Sequence, residues 1–208
     1  MCIRDRLQGL AITFQISGIS LILAFTIGLV TALLRMSNAF IARTLARLYL
    51  ETIRNTPLLI QLFFIYFVVG PVLGMSRFPS AVLALSLFEG AYASEIFRAG
   101  IVSIRRGQWE AAHSLGLSSP HTYIYIILPQ AIRRILPPLT SQAISLVKDS
   151  ALVSTIAIYD LTMQAQAIIS ETFLTFELWF TVAAMYLAVT VTLSIIVSIM
   201  DKRYKVAV

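Results

Sequence analysis

The 208-residue sequence is 58% hydrophobic and only 12% charged, with a net charge of +6. A soluble domain carries about a quarter charged residues, so too few polar groups remain to cover a water-facing surface, and lipid is the better solvent. The Lys and Arg residues form no stripe but sit in the gaps between apolar runs, which argues against a nucleic-acid surface and for topology determinants.

No charged residue occurs over 7–34, 55–76 or 178–200. Each run matches the roughly 20 apolar residues a helix needs to cross the hydrocarbon core, and helices satisfy their own backbone groups in lipid. The sequence therefore predicts an all-α integral membrane protein with a single transmembrane domain over 1–208. About five transmembrane helices are expected, at 10–34, 55–73, 79–99, 137–168 and 177–200. The third contains Glu89 and Glu95, and the fourth is interrupted by Lys148, Asp149 and Asp160. The first run is too long for a signal-peptide core and reads as a retained span. The one cysteine, Cys2, allows neither an intrachain disulfide nor a cysteine-rich metal site.

With five spans, the connections 35–54 and 98–134 and the C-terminal tail lie on one side. They hold Arg35, Arg43, Arg47, Arg54, Arg98, Arg105, Arg106, Arg133, Arg134, Lys202, Arg203 and Lys205, which are twelve of the sixteen basic residues. The positive-inside rule makes that side, and the C-terminus, cytoplasmic. The other side holds Arg77, Glu171 and Glu177. Arg4 and Arg6 fall on the wrong side of this topology: either they are outweighed, or Met1–Arg6 is not the native start.

The connection at about 100–134 carries the most informative stretch, GQWEAAHSLGLSSPHTYIYIILP at 107–129. Glu110, Ala111 and Ala112 favour helix, and Gly116 tolerates the left-handed dihedrals that end one. Ser119 then Pro120 suit an N-cap and first helical position. Leu128-Pro129 and Pro137-Pro138 are expected to break the path before the fourth span. Small side chains at Ala111 and Ala112 leave one flat face. Such a unit reads either as an interfacial amphipathic hairpin or as a docking helix for another protein.

The spacing of this stretch resembles the EAA loop of ATP-binding cassette (ABC) import permeases. Glu110-Ala111-Ala112 is followed by three residues, Gly116, nine residues and Ile126-Ile127-Leu128-Pro129. Three further stretches resemble the polar amino acid permeases of that family: Arg54-Asn55-Thr56-Pro57-Leu58-Leu59-Ile60-Gln61, Ala93-Ser94-Glu95-Ile96-Phe97-Arg98-Ala99-Gly100-Ile101 and Lys148-Asp149-Ser150-Ala151-Leu152-Val153-Ser154. The resemblance runs from about Gly9 to the tail. Asn55, where the family has Gly, and Glu89, where a neutral residue is expected, depart from it.

The resemblance implies a permease subunit of a bacterial cytoplasmic (inner) membrane importer for polar amino acids of the histidine, glutamine, glutamate or arginine type. It works by alternating access with ABC ATPase subunits, an extracytoplasmic solute-binding protein and a second permease subunit, identical or not. Glu110, Ala111, Ala112, Gly116, Leu128 and Pro129 would form the ATPase-coupling element. No G-x-x-x-x-G-K-[ST] loop and no Gly-Lys pair occur, so no phosphate cradle is expected here; ATP and Mg would be bound by the partner ATPase, with no cofactor in this chain. Cargo of another kind, an opine or amine, and a self-sufficient channel or secondary transporter are the alternatives.

Intramembrane charges usually face the bundle interior or a wet cavity. Lys148 and Asp149 therefore either line the path of a zwitterionic solute or pair structurally. Glu89, with no evident local partner, is a candidate contact for a substrate ammonium group. Glu95 and Arg98, three positions apart, are expected to form a structural ion pair on one helix face. His113 and His121 lack the ligand cluster a metal site needs, Trp109 and Trp179 read as membrane-interface anchors, and no Ser/His/Asp set points to catalysis.

Overall fold

In a computed structural model of the chain, the backbone is described for residues 3–204 and the side chains for residues 6–199. Arg4 and the tail cations Lys202, Arg203 and Lys205 lie outside the described side chains. Regular structure among the described residues is entirely helical. The elements are α1 (Ile3–Met36), α2 (Phe40–Arg54), α3 (Leu58–Phe64), a π-helical stretch (Ile65–Val69), α4 (Gly70–Leu73), α5 (Arg77–Val102) and α6 (Arg106–Ser114). There follow α7 (Ser119–His121), a second π-helical stretch (Thr122–Ile127), α8 (Leu128–Asp149), a 3-10 stretch (Ser150–Ile156), α9 (Leu161–Thr172) and α10 (Thr175–Tyr204).

Three helices among the described residues are long and apolar enough to cross a membrane: α1, α5 and α10. The number rises to five if two bent pairs each count as one span, α2 with Leu58–Leu73 and Ser119–Ile156 with α9. α10 turns Phe176, Phe180, Leu187, Val191, Ile195 and Ile199 outward, as a lipid-facing helix does.

α1 and α5 make the most extensive pairing in the molecule. Small residues permit it. Ala24, Ala91 and Ala93 are fully buried, and a Cβ added at Gly28 would lie 2.7 Å from the Ala93 Cβ and 2.9 Å from the Gly90 carbonyl oxygen. Close backbone approach through Gly and Ala is the usual basis of helix association in lipid. One core, with Ile16, Leu62, Ile65, Leu85, Leu146 and Val153, joins α1, α3, α5 and the end of α8. A second, with Ala93, Ile101, Ile104, Ile127, Ala131, Ile135 and Leu139, joins α5 to α8 near the basic end.

The chain departs from the sequence-based expectations at three places. The connection 35–54 is not a loop: most of it is α2, whose axis lies 108° from that of Leu58–Leu73. The prolines do not break the path into the fourth span. Helix runs from Ser119 to Ile156, with Pro129, Pro137 and Pro138 inside it. An interior proline costs about 3 kcal/mol; burial of Ala131, Ile135 and Leu139 against α5 offsets it, and the π-helical widening just before Pro129 relaxes the local ladder. The real break in 137–168 comes later, at a 47° bend between Ile156 and Leu161. Ala157 adopts φ 56° there, and the Asp160 carboxylate caps α9 by accepting from the Met163 N–H at 2.9 Å.

Candidate functional site

The EAA-like stretch forms α6 and the turn after it. The turn closes as a Schellman motif. The Gly116 N–H donates to the His113 carbonyl at 2.9 Å, and the Leu117 N–H donates to the Ala112 carbonyl at 3.1 Å. This geometry needs a left-handed residue after the helix, and Gly116 supplies it with φ 77°. The helix presents two surfaces. Ala112 is buried, whereas Glu110, Ala111, His113 and Leu115 are exposed. Trp109 packs inward, edge-on to Tyr123 at 5.1 Å, rather than standing free as an anchor.

The next helix begins one residue earlier than its sequence signals imply. Ser118, not Ser119, holds the extended N-cap conformation, and Pro120 is the second helical residue. The Ser118 hydroxyl pairs with His121 Nδ1 at 2.7 Å rather than with a backbone N–H. Leu128 and Pro129 are exposed on the far side of the π-helical stretch. Gln130 Nε2 of α8 donates to Gln108 Oε1 of α6 at 3.1 Å, and Arg134 Nη1 of α8 donates to the carbonyl of Ser103, at the end of α5, at 2.6 Å. The segment is therefore a short exposed helix rigidly mounted on the basic ends of α5 and α8.

The intramembrane charges separate into two groups. Glu89 is only 1% exposed, and its Oε2 accepts from Gln142 Nε2 at 2.6 Å while Oε1 has no partner. Asp149 lies beside it, within reach of the Glu89 carboxyl. Lys148, the next residue, is exposed. So Glu89 does have a partner, on another helix. Gln142 precedes Asp149 by seven positions, two helical turns, which puts both on the α8 face toward α5; that spacing was the available signal for it.

The second group surrounds Glu95. Arg98 Nη2 lies 3.0 Å from Glu95 Oε2, as the three-residue spacing predicts. The pair is only part of a cluster. Arg35 from the end of α1 also reaches Glu95 Oε1, and Arg54 Nη1 approaches it at 3.3 Å. Arg54 additionally lies 5.7 Å from the centre of the Tyr92 ring. One carboxylate thus gathers guanidinium groups from α1, α2 and α5. No group of three or more His, Cys, Asp or Glu side chains able to hold a metal occurs among the described residues.

The all-helical fold thus carries an exposed helix closed by a glycine at the EAA spacing. Residues 24–206 match the family described as binding-protein-dependent transport system inner membrane component. The chain belongs to that family. It is the permease subunit of an ABC importer, a transport component of a membrane machine.

This permease is 38% identical over 203 residues to the glutamine transport system permease protein GlnP of Escherichia coli strain K12, covering 96% of this chain and 93% of that protein. It is 44% identical over 161 residues to the L-cystine transport system permease protein TcyB of Bacillus subtilis strain 168, covering 77% of this chain and 69% of that one. Its structure superposes on that of an amino acid ABC transporter crystallised with histidines with a TM-score of 0.91 and 39% identity, over 96% and 94% of the two chains. The methionine transporter MetNI shares the fold at a TM-score of 0.84 and 18% identity, over 98% of each chain.

Proposed function

We propose that the permease moves polar amino acids inward across the bacterial cytoplasmic membrane by alternating access, driven by separate ATPase subunits that dock on α6. A second permease subunit completes the path, and an extracytoplasmic solute-binding protein delivers the cargo. The observation that carries the docking site is the Schellman-closed turn at Gly116, which mounts Glu110, Ala111 and Leu115 outward on a helix fixed to α5 and α8. A rigid mount is what coupling needs, because movement imposed on α6 then passes into the spans as a rigid-body shift. The polar amino acid cargo is supported by the glutamine and cystine permeases among the relatives. This chain has no ATPase activity of its own, and its C-terminus is cytoplasmic.

Within the spans, Glu89 is the proposed contact for a substrate ammonium group, with Asp149 beside it. Lys148 is a candidate for the substrate carboxylate only where its exposed side faces the second subunit.

Gly116→Asp tests the docking site. Left-handed dihedrals cost a non-glycine residue about 1–2 kcal/mol, and a charge is added at the contact. Membrane insertion should be retained, while amino acid uptake per ATP hydrolysed falls at least about tenfold in the reconstituted complex. Normal uptake by Gly116→Asp with its ATPase refutes the assignment.

A further inference from the structure

α2 has three faces rather than two. Successive residues turn by about 100°. Ala42, Ala46, Tyr49, Leu50 and Ile53 cluster on one side, where Ala46 and Leu50 are buried and the Tyr49 hydroxyl donates to the Leu87 carbonyl at 2.5 Å. A second side carries Ile41, Leu45 and Leu48, which are 72%, 61% and 63% exposed. The third carries Arg43, Arg47, Glu51 and Arg54. A helix packed on its own protein by one face needs only one solvent for the rest. This one displays an apolar strip and a basic strip side by side, which is the pattern of a helix lying in a membrane interface.

Its position agrees. The axis lies 108° from that of Leu58–Leu73, so α2 runs across the direction of the spans. Its C-terminal Arg54 is held at Glu95. From Arg77, the first residue of α5, to Glu95 the helix rises roughly 27 Å at about 1.5 Å per residue, close to the roughly 30 Å hydrocarbon thickness. The Glu95 cluster therefore marks the inner boundary of the bilayer. The last turns of α1 also expose apolar side chains, at Leu29, Val30, Leu33 and Leu34.

The charge is unbalanced. Five arginines, Arg35, Arg43, Arg47, Arg54 and Arg98, stand at this boundary with two carboxylates, Glu51 and Glu95. Every ion pair among the described residues is made by Glu95. Glu51 Oε2 instead accepts from Asn55 Nδ2 at 3.1 Å, Arg43 Nη2 donates to the Ser37 carbonyl at 3.2 Å, and among the described residues neither Arg43 nor Arg47 has a carboxylate at ion-pair distance.

We infer that α2 is an in-plane helix of the cytoplasmic leaflet, with Ile41, Leu45 and Leu48 among the acyl chains and Arg43 and Arg47 on the headgroups of anionic phospholipid. Anionic lipid on the inner leaflet attracts such residues. The occupant is lipid rather than a second permease subunit, because one helix lying across the spans exposes both an apolar strip and arginines that no described carboxylate neutralises, which match acyl chains and a layer of phosphates.

The test uses the full permease with its partner subunits in nanodiscs of phosphatidylcholine, with and without phosphatidylglycerol. In a Cys2→Ser background, spin labels at Leu45→Cys and Arg47→Cys report depth. The label at 45 should be accessible to oxygen and shielded from a water-soluble relaxant, and the label at 47 the reverse. Arg43→Gln with Arg47→Gln should reduce the phosphatidylglycerol that copurifies at least twofold, without loss of assembly. Water access at both labels, spin–spin broadening between two permease subunits at position 45, or unchanged lipid retention in the double variant each overturns the inference. None of these readouts depends on which solute is carried.

Discussion

Glu95 receives guanidinium groups from helices whose sequences lie as far as sixty residues away. Its side chain is 23% exposed, so solvent weakens the pairing. Glu95→Gln keeps the shape and removes the charge. It should destabilise the purified complex by about 1–2 kcal/mol, because bonds to a charged group are replaced by neutral ones; a thermal unfolding midpoint that drops by a few degrees is the expected reading. Glu89 poses the opposite case. Glu89→Gln removes a buried charge without emptying its volume, so stability should hold or rise. If the carboxylate holds a substrate ammonium group, KM for several amino acids rises in the variant; unchanged uptake across all of them removes Glu89 from the path. At this scale the sequence revealed what was local. Three-residue spacing exposes the Arg98 pairing, but Arg35 and Arg54 approach Glu95 across tertiary contacts that no spacing encodes.

Among the elements, the crossing of α1 and α5 depends on the absence of side-chain volume at Gly28. Gly28→Leu would force atoms into the Ala93 Cβ and the Gly90 carbonyl, and overpacking of this kind costs about 1–3 kcal/mol or more. Purified yield and thermal midpoint should both fall. Gly18 lies on the same helix with open space around its Cβ position, and Gly18→Leu should leave both measurements unchanged. Helix existence was legible from apolar run length for α1 and α10, which occupy the charge-free runs 7–34 and 178–200, whereas α5 carries Glu89 and Glu95 within its span. The course of α8 was not. Local propensity at Pro129, Pro137 and Pro138 argues for a break, whereas packing of Ile135 and Leu139 against α5 holds one continuous path. α2 was hidden for a different reason: four arginines between Arg35 and Arg54 read as a connection, although the three-faced arrangement of its apolar residues is present in the sequence. For the EAA-like turn the sequence was sufficient, because Gly116 and its spacing from Ala112 specify the Schellman closure directly.

For the molecule as a whole, the basic end carries α6, proposed for the ATPase, α2, proposed for lipid, and the Glu95 cluster that joins α1, α2 and α5. The opposite end carries Arg77, which reaches the Ala157 carbonyl at the bend before α9. Between them α5 and α8 enclose Glu89. α6 is tied to α8 through Gln108 and Gln130, and α8 to the end of α5 through Arg134 and Ser103. Alternation of the permease between two facings then needs energy from outside this chain. The most direct measurement is uptake of labelled polar amino acids into liposomes holding the permease, with its genomically adjacent ATPase and binding protein added or omitted. Accumulation should require the ATPase, ATP and the binding protein together. Equal accumulation by the permease without the ATPase would contradict the account.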